Sequence, residues 1–135
     1  MEEIIDQLRE LNDPVPVPLE LPEEETLVEI QEQILIHLPF GLHEFLLKVS
    51  DVVYGRLEPV TACDPQSHTY LPEVASVAWS LGVPRELVPL CEDRGNYYCV
   101  EEDGTVVLWE ADTEELNEES WESVWHWARD VWLES

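Results

Sequence analysis

Apolar residues recur at helical spacing over much of the first half of the chain. Ile4, Ile5, Leu8 and Leu11 predict a short amphipathic helix over 2–11. Asn12-Asp13-Pro14 ends it. Pro14, Pro16 and Pro18 then alternate with Val15 and Val17, which predicts an extended surface connector, because proline cannot donate to a central strand. Pro22-Glu23-Glu24-Glu25 looks like a helix start, and Thr26-x-x-Glu29 offers a second one as a capping box. Leu27, Ile30, Ile34 and Leu38 continue the pattern; Ile34-Leu35-Ile36 could alternatively be a strand, but helix fits the spacing better. After Leu38-Pro39, the residues Leu42, Phe45, Leu46 and Val49 predict a third helix, from about Phe40 to Ser50.

The period then changes. Leu57-Glu58-Pro59-Val60 suits a short edge strand, and Cys63 to Thr69 is polar and loop-like. Val74, Val77, Ala78 and Leu81 place a helix over 72–81, which Gly82 caps and Pro84 keeps from resuming. Leu87–Cys91, Asn96–Glu101 and Thr105–Trp109 are strand-like runs, separated by the turns Glu92-Asp93-Arg94-Gly95 and Asp103-Gly104. A last helix is expected from about Glu118 to Leu133. Trp121, Val124, Trp125, Ala128 and Trp132 share its stripe, while Trp127 and Val131 lie off centre. Strands joined by tight turns cannot form a parallel sheet. The expected fold class is therefore α+β: a single antiparallel sheet, a meander, with helices packed on it. The 135 residues are expected to form one domain, with 1–21 as helix and connector and 22–133 as the core.

Charge narrows the function. Thirty-one acids face six bases, for a net charge of -25, and Lys48 is the single lysine. Residues 1–35 carry eleven acids and 101–135 carry twelve, each with one base, so the acidity sits at the two ends of the chain. General affinity for nucleic acid or for an anionic membrane is disfavoured, since both need clustered Lys and Arg. With no long apolar run and no basic, apolar leader after Met1, a cytoplasmic protein is expected. Solubility alone is the bland account of the acids; the sharper one is a field that draws in a cationic partner.

The search for chemistry returns little. No nucleophile elbow, phosphate loop or HExxH occurs. Cys63, Asp64 and His68 are the best metal-like group, but they mix soft and hard donors at no established spacing. His37, His43 and His126 stand alone. Cys63, Cys91 and Cys99 are an odd set that suits reduced thiols rather than a disulfide scaffold. No catalytic residue, cofactor or metal is expected.

Several segments together resemble one family. Pro22-Glu23-Glu24-Glu25 leads into Glu29 and Ile34, followed by Leu38-Pro39, Leu42, Phe45-Leu46-Leu47 and Tyr54-Gly55. A Tyr-rich strand, Asp103-Gly104, the strand Thr105–Trp109 and a closing helix with Trp121 and Trp125 come after. This order resembles the SUKH superfamily, which includes the Smi/Knr type of fungal cell-wall assembly regulators and many bacterial proteins. The resemblance spans about residues 22–133. Leu42 or His43 stands where an aromatic is usual, and Asp51 to Gly55 replaces an Asn-Gly turn. The resemblance implies a non-catalytic α+β domain that binds other proteins. Many bacterial members look like immunity proteins paired with secreted toxins, often nucleases.

The expectation is thus a cytoplasmic interaction domain, an immunity protein that neutralises a basic toxin through an acidic surface. A regulatory or scaffolding module without a toxin is the alternative, and an enzyme the third choice. Candidate partner-binding residues are Glu101, Glu102 and Asp103 at a hairpin, Glu114, Glu115, Glu118 and Glu119 at the last helix start, and Trp127. Oligomeric state is left open.

Overall fold

The computed structural model describes residues 2–16 and 18–135; Met1, at the expected N-terminus, and Val17, in the expected connector, lie outside them. Three helices come first: α1 (Glu2–Leu11), α2 (Glu24–Ile34) and α3 (Phe40–Val49). A two-residue strand β1 (Glu58–Pro59) follows, then α4 (Leu71–Leu81). Four strands run in succession, β2 (Val88–Asp93), β3 (Asn96–Val100), β4 (Val106–Glu110) and β5 (Glu115–Trp121). The short helix α5 (Val124–Trp127) passes directly into a π-helical turn, Ala128–Trp132. All neighbouring strands are antiparallel and the sheet order is β1-β2-β3-β4-β5, so the α+β class and the meander hold.

Both faces of the sheet are covered. On one, Val88, Leu90, Val100 and Val106 meet side chains from all five helices, including Leu8, Leu27, Phe45, Leu71 and Trp127. On the other, Tyr97, Cys99, Val107 and Trp109 pack under Ala78, Val83 and Leu87. Gly82, at φ +120°, ends α4 over this face, with its α-carbon edge close to the Trp109 ring. The core reaches beyond 22–133, because Leu8 of α1 is 0% exposed and belongs to the larger cluster. Arg9 clamps α1 from outside through two bonds of 2.6 Å to Asp51, and Asn12 Oδ1 accepts from Val53 N–H at 2.8 Å.

Loops close with named partners. Leu35 ends α2 in a left-handed conformation, φ 60°, with its N–H on Gln31 O at 2.9 Å. The Arg85 guanidinium lies over the Trp79 ring, 3.8 Å from its centroid, and donates to Ile34 O. A cation there complements the carbonyl end of α2.

The greatest departure from expectation is the helix start. Residues 115–121 are strand β5, and the helix begins only after Ser123, whose Oγ accepts from His126 N–H at 3.2 Å. Ser is a favoured N-cap, so Ser123-x-x-His126 carried the true start signal. Glu114 to Glu119 therefore do not load a helix N-terminus. They occupy a hairpin and the outer strand of the sheet.

Candidate interaction surface

Two hairpins set the positions of the candidate acids. In the β3–β4 turn, Glu101 N–H donates to Thr105 O at 2.8 Å, and Thr105 N–H donates to Asp103 Oδ1 at 2.9 Å. The bonds from Thr105 favour the ionised carboxylate and lower the Asp103 pKa. At the other end of β4, Glu114 turns the chain at φ 55°, its N–H on Glu110 O at 2.8 Å. From there β5 runs back along β4, pairing Glu115 with Glu110 and Trp121 with Val106.

The acids thus follow one sheet edge from end to end. Glu102, Asp103, Glu114, Glu115, Glu118 and Glu119 are exposed, and Glu101 is half-buried. Asp112 and Glu122 are exposed on the same stretch and extend the row, although neither was singled out from the sequence. Between Arg94 and Arg129 there are ten acids and no Lys or Arg, which was the signal for them. The edge is irregular: one residue of β4, Leu108, faces three of β5, 117–119, and Glu119 N–H turns onto Asn117 Oδ1 at 2.8 Å. Charge and a bulge on an outer strand both oppose pairing with another copy of itself.

Trp127 departs from expectation. It is 0% exposed and offers no docking surface. It closes α5, and the chain continues in the π-helical turn, where Leu133 N–H bonds to Ala128 O, five residues back, at 2.8 Å. A five-residue repeat brings Trp127 beside Trp132, their rings stacked with centroids 6.4 Å apart. Ideal α spacing would have separated them around the helix. Phe45 fills the space next to both, at 6.5 and 5.6 Å. The Trp127 Nε1 is buried without a hydrogen-bond partner, and Tyr98 tilts against the ring at 5.4 Å.

The remaining chemical candidates are engaged elsewhere. Cys63 Sγ donates to Glu20 O at 3.3 Å, while His68 Nε2 meets Glu58 at 2.7 Å, so the loop's donors do not converge. No group of three metal-type ligands occurs among the described residues. His43 pairs with Glu24 and His126 with Ser123. Burial pushes the thiols of Cys91 and Cys99 up to about 12, which leaves them protonated and unreactive at neutral pH. No helix among the described residues is long and apolar enough to cross a membrane.

Comparison with known proteins places these features. The pattern of the family described as SMI1-KNR4 cell-wall (SUKH_5) matches residues 1–133. That match reaches back over α1, ahead of the 22–133 span that carries the sequence resemblance. A crystal structure of a protein from Pseudomonas syringae pv. tomato is 72% identical, covers 100% of both chains and superposes with a TM-score of 0.96. No curated protein matches the chain.

Proposed function

The chain belongs to the SMI1-KNR4 cell-wall family, and from that premise we propose that it is a non-catalytic, cytoplasmic interaction domain that holds a basic protein partner. The partner we favour is a toxin, with the chain as its immunity protein. The row of exposed carboxylates along β5 and at the β3–β4 and β4–β5 turns carries this reading. A nuclease-type toxin needs a cationic surface for its substrate, and a negative protein edge can occupy that surface in place of nucleic acid. Such a field speeds encounter more than it deepens affinity.

The test is association kinetics with a panel of basic, nuclease-type toxins, at about 0.01 M and about 1 M salt, between which the screening length falls from about 30 Å to about 3 Å. Binding that is lost at high salt, with slower association after Glu115→Gln, Glu118→Gln and Glu119→Gln together, supports the reading. Absence of binding at low salt, or binding that ignores both salt and these substitutions, refutes it.

A regulatory or scaffolding role without a toxin is the second reading. It is favoured by apolar side chains left outside the core: Leu35 is 81% and Phe40 is 77% exposed. A partner held through them stays bound at high salt.

A further inference from the structure

A cleft of about 920 Å³ opens on the side of the sheet opposite β5, where the first turns of α4 and the loop 65–69 stand over β1, β2 and β3. The strand register places Glu58, Glu92 and Tyr97 in one row on the same face, since Glu58 pairs with Glu92 and Glu92 with Tyr97. Across the gap, α4 contributes Glu73, Val74 and Val77. The wall therefore combines apolar side chains with carboxylates.

Tyr97 is the informative residue. It is 5% exposed, yet its hydroxyl has no hydrogen-bond partner among the described residues. Its hydroxyl is not sealed either, because the buried unpaired side-chain atoms comprise Trp127 Nε1 and not this oxygen. The hydroxyl therefore meets solvent through the cleft its ring lines. An almost wholly buried phenol facing open space offers a ready-made contact for a guest's polar group.

The charges around it select the guest. Arg56 is already held by Asp93 through two bonds, and Glu92 accepts from Gly95 N–H at 2.7 Å. His68 sits on Glu58. Glu73 has no hydrogen-bond or ion-pair partner among the described residues. Arg94 is exposed in the β2–β3 turn at the mouth. With Arg56 and Asp93 offsetting each other, Glu58, Glu73 and Glu92 outnumber Arg94, so an anion is disfavoured and a cation favoured. Val74 and Val77 suit the aliphatic stem of a long basic side chain.

We infer, resting on the reading of a basic protein partner, that this cleft receives an arginine or lysine side chain of that partner, with its stem along Val74 and Val77 and its head between Glu73, Glu92 and the Tyr97 hydroxyl. The guest's N–H groups donate to the carboxylates and to the tyrosine oxygen. The cleft is a pocket for one side chain. The β5 edge is a separate, longer-range field at the other margin of the sheet.

N-acetyl-arginine methylamide is titrated into the full-length ¹⁵N-labelled protein at low salt, with the neutral citrulline counterpart as control. Saturable shifts of the amides of residues 56–58, 66–69 and 92–97, absent with citrulline, are expected. Tyr97→Phe keeps the ring in the core and Glu73→Gln keeps the shape; each weakens binding roughly tenfold while the rest of the spectrum stays native. No saturable shift in the cleft, shifts confined to β5, or binding indifferent to both substitutions overturns the inference. In that case a basic partner still held by β5 leaves the functional reading intact. A partner indifferent to both regions overturns the two together.

Discussion

Replacing Gly55 by Ala should destabilise the protein through Ser135. Gly55 has φ +63°. An L residue in that region costs about 1–2 kcal/mol. A Cβ there would also lie 3.0 Å from Ser135 O and 3.3 Å from Ser135 C, with Ser135 Oγ closer still. The Ser135 side chain can rotate away, but its backbone is tied. Ser135 N–H donates to Trp132 O at 3.0 Å, Tyr54 O–H donates to Leu133 O at 3.2 Å, and Trp132 Nε1 donates to Tyr54 O at 3.1 Å. Forcing extra volume into such a site typically costs about 1–3 kcal/mol. Gly55→Ala should thus lose about 2–5 kcal/mol in all. Gly104, at φ +97° with nothing within 4 Å of an added Cβ, supplies the control; Gly104→Ala should lose only the backbone part, about 1–2 kcal/mol. Urea unfolding followed by tryptophan fluorescence gives both numbers. Deleting Ser135 should relieve most of the excess in Gly55→Ala, a coupling read from the double-mutant cycle. Equal losses for the two glycines, or no relief on deletion, would refute the steric argument.

The attachment of α1 gives a second contrast: Leu8→Ala should cost about 2–5 kcal/mol, but Arg9→Met less than about 1 kcal/mol, because the first empties a core site and the second removes a surface ion pair. The reverse order in urea unfolding would show that the Arg9–Asp51 clamp holds the helix. Trp132→Phe should be more damaging than Trp127→Phe, since Trp132 loses its bond to Tyr54 O while Trp127 loses an indole N–H that had no partner; denaturation midpoints decide it. Ellman's reagent should label Cys63 in the native protein and reach Cys91 and Cys99 only on unfolding. Because the folded pKa values of these two thiols are raised to about 12, their contribution is complete below about pH 8.5 and is lost as pH rises from there towards 12. The urea midpoint should fall over that range, and less so in Cys91→Ala/Cys99→Ala.

Local patterns sufficed for the helices of the first half. In α2 and α3, Leu27, Ile30, Ile34, Leu42, Phe45, Leu46 and Val49 are the buried positions, as their spacing requires. The β2–β3 and β3–β4 hairpins were legible for a similar reason, since the Arg94-Gly95 pair and Gly104 supply the positive φ values the turns need. β5 was not. Glu115-Leu116-Asn117-Glu118-Glu119-Ser120-Trp121 has neither an apolar alternation nor strong strand formers, and burial along it is slight. It becomes a strand because β4 offers it a free row of backbone groups, which no local pattern records. Trp127 was misjudged through the same blind spot. Its burial follows from contacts with Phe45, Tyr98 and Trp132, two of which lie far away in the chain.

By itself the sequence determined the α+β class, the order of most elements and the excess of negative charge. These follow from side-chain period, turn chemistry and composition, all of which are local or additive. Tertiary structure decided where the acids stand and which polar group is left open. Strand pairing laid the carboxylates of β5 along one edge, and the packing of α4 over β1–β3 formed the cleft that Tyr97, Glu73 and Glu92 line together. Both results depend on contacts between residues far apart in the chain, whose register is fixed only when the sheet and helices close together.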